Sequence, residues 1–130
     1  MEPTAAASRV LRADALFEVA LGVPLATGSV TGLHRTVCLA PPASPRVVSA
    51  FGAALLPFAV LLYRESRRPQ RRRLGVLTAV NAVTGAALAR WLLASARNMS
   101  PAGAATVGAA SVGLAALAAE ELSVYRRMTG

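Results

Sequence analysis

Four apolar stretches, residues 15–33, 47–63, 74–96 and 101–119, follow one another along the chain with only brief interruptions. Each approaches the roughly 20 predominantly apolar residues that an α-helix needs to cross a ~30 Å hydrocarbon core. The runs are too long for strands and do not alternate, so neither an ordinary sheet nor a membrane barrel fits them. The expectation is an all-α membrane protein in which four transmembrane helices form one bundle, a single domain over residues 1–130. Composition agrees. Charged residues make up 15% of the chain and hydrophobic residues 55%, against a charged share of about 25% in soluble domains. So apolar a chain is not a water-soluble globule, and it is the opposite of a disordered one.

The breaks between the stretches hold the residues that end helices. Residues 34–46 contain three prolines, as an exposed loop does. Residues 64–73, RESRRPQRRR, read as a short basic turn. Residues 97–100 make a tight link, and Pro101 suits the first turn of the fourth helix.

Orientation follows from the basic residues, all 14 of which are Arg. Arg9 and Arg12, the six Arg of 64–73, and Arg126 and Arg127 share one side of the four spans. Arg35, Arg46 and Arg97, with Arg90 near that end of helix three, lie on the other. Ten against four places both termini and the Arg-rich turn in the cytoplasm of a multi-pass cell-membrane protein. Tyr63 and Tyr125 near one interface and Trp91 near the other match the aromatic belts of such proteins. A cleaved signal peptide would begin with a similar charge pattern, but Asp14 and Glu18 interrupt its apolar part.

The sole cysteine, Cys38, excludes an internal disulfide and a cysteine zinc cluster. The sole histidine, His34, shares its loop with no other residue of metal-ligand type except Cys38, so neither metal nor cofactor is expected. A sequence pI near 11.6 is compatible with nucleic acid. Arg residues spaced between long apolar runs instead point to the lipid bilayer and its anionic headgroups.

Ionisable and polar groups inside the apolar stretches are the candidate functional residues. Asp14 and Glu18 lie one turn apart on one helix face. Carboxylates in a membrane helix are costly, face the bundle interior and mark ion or proton sites. A structural alternative places both in the first helical turn, where the dipole favours negative charge, with Glu18 at the edge of the hydrocarbon. Thr78, Asn81 and Thr84 share a face of helix three and suit hydrogen bonds to a neighbouring helix. Arg90 is expected to snorkel to the outer interface beside Trp91. Glu120 and Glu121 end the fourth stretch, where the helix dipole opposes them, so they call for a cationic partner such as Arg126. Arg67, Arg68, Arg71, Arg72 and Arg73 are candidates for contact with anionic lipid. Small residues mark candidate packing faces: Gly28 and Gly32 in helix one, and Ala105, Ala109 and Gly113 in helix four. They serve a bundle within one chain, a homo-oligomer or a membrane-protein partner equally well.

The segments RADALFEVALG, FGAALLPFAVLLYR and NAVTGAALARWLLAS, followed by a Pro-led fourth helix, resemble small four-helix integral membrane proteins of bacteria. The absence of Lys and Ile beside 29 Ala points to a GC-rich, actinomycete-like genome. The resemblance implies architecture and carries over no catalytic residue. Small multidrug exporters share the size, the helix number and a Glu in helix one, but have weaker charge asymmetry. Three functional readings are open: an accessory or scaffold bundle without enzymatic activity, a small oligomeric proton-coupled transporter using Glu18, and a lipid-acting enzyme with Glu18 or Glu120/Glu121 as base.

Overall fold

A computed structural model describes residues 2–32 and 45–128. They form four long α-helices and one short 3-10 helix. The long helices are α1 (Pro3–Thr31), α2 (Pro45–Glu65), α3 (Arg71–Ser95) and α4 (Pro101–Arg127), with the 3-10 turn at Ala96–Asn98 between the last two. No strand occurs among the described residues. His34, Cys38 and Arg35 lie outside them.

Every helix is longer than the apolar stretch that signals it, because backbone hydrogen bonding does not stop where hydrophobicity does. Pro3 occupies the first turn of α1, and Ala5, Ala6 and Ala7 are the strongest helix formers available. The helix therefore begins well before residue 15. Asp14 is about three turns inside it rather than in its first turn, so the dipole argument for the two acids fails. Glu18 sits near the middle of α1, not at its edge. In the same way α4 continues past Glu120 and Glu121 to Arg127 and ends on Arg126 and Arg127, which the dipole favours. Its start is fixed by Ser100, whose side chain accepts from the Gly103 amide at 3.0 Å, with Pro101 next. The basic turn is shorter than expected. Arg64 and Glu65 still belong to α2, and Arg71–Arg73 already form the first turn of α3.

α2, α3 with its 3-10 extension, and α4 are each long and apolar enough to cross a membrane. α1 is not among these three, since Asp14 and Glu18 lower its hydropathy. Large apolar side chains point outward all round: Val30 is 89% exposed, Leu93 84% and Val112 71%. So apolar a surface is compatible with contact to lipid.

The helices pack as two antiparallel hairpins, α1 with α2 and α3 with α4, joined through α1 and α4. Ala6, Ala7, Leu11 and Ala15 of α1 cluster with Leu62, Leu74 and Val124. All four helices thus meet where α1 and α3 begin and α2 and α4 end, which gathers both chain ends and the Arg-rich turn at one end of the bundle. A hydrogen-bonded ion pair from Arg73 to Glu65, 2.6 Å long, ties α2 to α3 across that turn.

Close packing involves Gly113, which the sequence singles out, and also glycines that it does not. The α1–α2 crossing is built on Gly22 and Gly52, and any side-chain carbon at Gly52 would collide with the Leu25–Ala26 backbone. Gly32 packs against nothing. It is the α1 C-cap, at φ 75°, a left-handed conformation that suits glycine. Gly28 is buried, Gly113 lies under the Phe17 ring, and Ala105 and Ala109 are exposed.

Replacing Gly52→Ala should therefore destabilise the bundle by about 1–3 kcal/mol, the usual cost of overpacking. Gly108→Ala, whose new methyl would stand 3.5 Å from Leu92, should be neutral or stabilising by up to about 1 kcal/mol. Thermal unfolding in mild detergent separates the two, and equal midpoints would refute the crossing.

Candidate functional site

The polar residues inside the bundle converge on one place. Asn81 of α3 is 1% exposed, and its Nδ2 donates to Asp14 Oδ2 of α1 at 2.9 Å and to Glu121 Oε2 of α4 at 3.2 Å. Asp14 and Glu121 are themselves fully buried. A single amide thus joins three helices. The two carboxyl groups it holds come from opposite ends of the sequence.

Local structure explains the convergence. Leu74, in the first turn of α3, belongs to the apolar layer that closes the bundle. Asn81 lies two turns further along the same face, about 10 Å deeper. Leu11 and Asp14, and Val124 and Glu121, repeat this step from apolar layer to polar layer on α1 and α4. Glu18 lies one turn beyond Asp14 and is only 4% exposed. Thr78 stands beside Glu121 and donates its hydroxyl proton to its own helix, to the Leu74 carbonyl at 2.9 Å. Thr84 is half-buried one turn past Asn81.

One oxygen of each buried acid has no hydrogen-bond partner: Asp14 Oδ1, Glu121 Oε1 and Glu18 Oε2. The ion pair described, Arg73–Glu65, lies away from them. The cationic partner expected for Glu121 is therefore replaced by the Asn81 amide, because the extension of α4 turns this residue into the bundle while Glu120 stays exposed. Among the described residues no three side chains of metal-ligand type are gathered closely enough to hold a metal ion.

The sequence points to Asp14 and Glu18 together as a candidate ion or proton site and to Asn81 apart from them as an interhelical contact, with Glu121 at the rim. The signal that joins them is periodicity. Each lies one or two turns from an apolar residue of the closing layer. Arg90 is exposed and takes no part.

Asn81→Leu removes the shared donor and should lower stability by about 1–3 kcal/mol, the cost of leaving buried acceptors unsatisfied. The double variant Asp14→Asn with Glu121→Gln replaces buried charge by neutral amides and should be tolerated far better. Unfolding midpoints of the purified chain in detergent test this; an Asn81→Leu protein as stable as wild type would show that the amide does not hold the bundle.

No family model matches this chain, and neither a curated protein nor a solved structure matches it. The buried cluster and the architecture around it are what the functional reading rests on.

Proposed function

We propose that the chain is a four-span integral membrane protein with both termini in the cytoplasm, and that it couples transport to protons through Asp14, Asn81 and Glu121. The observation that carries this reading is the pair of fully buried carboxyl groups sharing one amide. Removed from water, such a pair needs a compensating positive charge. One oxygen of each carboxyl has no hydrogen-bond partner, and the described side chains offer no three-ligand metal set, so a proton is the occupant that fits.

Several features support α1 as the fourth span. At 29 residues it is about 43 Å long, and it lies antiparallel along α2. Its two acids point into the bundle rather than toward lipid. With Arg9 and Arg71–Arg73 at the cytoplasmic headgroups, the cluster lies on the order of 10 Å inside the membrane. Glu18, one turn deeper, provides a second carboxyl to which a proton can pass.

A second reading, an accessory or scaffold subunit, is favoured by Ala105 and Ala109, which stay exposed on α4 as a small-residue face. A defined oligomer in native mass spectrometry, lost on Ala105→Leu with Ala109→Leu, would support it. The enzymatic reading gains no comparable support, because Glu18 and Glu121 are buried while Glu120 faces outward.

Two measurements test the main reading. In proteoliposomes with an imposed pH gradient and the voltage clamped, wild-type protein should dissipate the gradient faster than empty vesicles. Asp14→Asn and Glu121→Gln should return the rate to that of empty vesicles, while Glu120→Gln should not. Equal rates for wild type and both cluster variants would sink the proposal. In a Cys38→Ser background, single cysteines from Thr4→Cys and Met128→Cys should be labelled from the cytoplasmic side and Ala96→Cys from the other. Labelling of Thr4→Cys and Met128→Cys from opposite sides would leave α1 outside the membrane.

A further inference from the structure

The Arg-rich end of the bundle is not a uniform field of charge. Arg73 is engaged by Glu65 at 2.6 Å. Arg71 lies over the Tyr125 ring, its guanidinium carbon 4.4 Å from the centroid. The remaining charge concentrates where α2 ends. There Val60, Tyr63, Arg64, Arg67 and Arg68 line an open recess of about 470 Å³. Arg67 is placed over the Tyr63 ring at 5.3 Å, which orients its guanidinium without neutralising it. No carboxylate lines the recess, and none pairs with Arg64, Arg67 or Arg68 among the described residues.

Val60, Tyr63 and Arg64 lie on α2, and Arg67 and Arg68 follow in the turn beyond its end at Glu65, so the recess runs from an apolar side chain to three cations. Val60 and Leu61 are more than half exposed, Leu61 at 61%. Hence the wall of the recess that leads back along α2 is apolar. An inorganic anion would use only the guanidinium groups, and a nucleic acid would gain nothing from that wall. A molecule with a phosphate at one end and hydrocarbon at the other uses both.

We infer that Arg64, Arg67 and Arg68, with Tyr63 and Val60, form a binding site for the phosphate headgroup of an anionic phospholipid whose acyl chains run along α2. The sequence alone placed lipid contact at Arg67, Arg68 and Arg71–Arg73. The structure leaves Arg71–Arg73 outside the recess, with Arg73 paired to Glu65, and brings in Arg64. The site requires α2 to cross the membrane but is independent of proton coupling.

Native mass spectrometry of the full chain in mild detergent tests it, with phosphatidylglycerol, phosphatidylcholine and inorganic phosphate as probes. Wild-type protein should retain phosphatidylglycerol in preference to phosphatidylcholine. The triple variant Arg64→Gln, Arg67→Gln, Arg68→Gln should weaken that retention on the order of a hundredfold, from the loss of three headgroup-level cations. The triple variant Arg71→Gln, Arg72→Gln, Arg73→Gln removes the same charge and should weaken retention far less, since none of its members lines the recess. Equal losses in both triple variants would reduce the effect to net charge and overturn the site. Displacement of the lipid by millimolar inorganic phosphate would make it a free-phosphate site instead. Lipid retention by Asp14→Asn at the wild-type level is expected, so failure of the proton reading and failure of this one are read separately.

Discussion

The interior of the bundle is organised by one side-chain amide. Asn81 offers its Nδ2 protons to Asp14 on one side and Glu121 on the other, linking α1 to the α3–α4 hairpin. Apolar packing within lipid is weakly selective, because helix faces made of Ala, Leu and Val fit one another in many registers. A buried amide between two acceptors is satisfied in one register only. The polar cluster therefore fixes how the two hairpins meet, while the apolar layer of Leu11, Leu62, Leu74 and Val124 fixes that they do.

The same arrangement concentrates cost. Partnerless oxygens on Asp14, Glu18 and Glu121 lie within a few turns of each other in an interior otherwise built from hydrocarbon. A chain concerned only with stability would fill this place with Leu or Ala. Its three acids at the meeting point of the helices are the physical reason for proposing that the cluster does more than set the register. The lipid-facing surface, by contrast, carries no comparable expense.

Much of the architecture was legible in the sequence. Span length, the Pro-rich and Arg-rich breaks, and the absence of alternation leave little besides a helical membrane bundle, and the three apolar helices α2, α3 and α4 lie where those patterns put them. Helix ends were less legible, because hydropathy marks where lipid is tolerated and not where hydrogen bonding stops; α1 and α4 both overrun their apolar segments. Burial was least legible. Glu120 and Glu121 are neighbours with one chemistry, yet one faces outward and the other is fully buried. Only the angular phase of α4 against α3 decides between them, and that phase depends on contacts such as Ser111 donating to the Gly85 carbonyl at 2.9 Å. Likewise the glycines at the α1–α2 crossing, Gly22 and Gly52, lie on different helices, so no four-residue spacing within either helix reveals the pair.

The hairpin-by-hairpin packing has a consequence for how the chain is made. Most contacts join helices adjacent in sequence, so α1 can settle against α2, and α3 against α4, as each pair leaves the ribosome. The amide cluster breaks this order. Asp14 is synthesised before every residue of α3 and α4, and Glu121 only after α3 is complete. Until α3 is made, Asp14 lacks the Asn81 amide, and until α4 is made the amide lacks its second acceptor. The part of α4 that carries Glu121 thus acts as a completion signal: a chain interrupted before it leaves the Asn81 amide with one acceptor and the two hairpins without their shared polar contact.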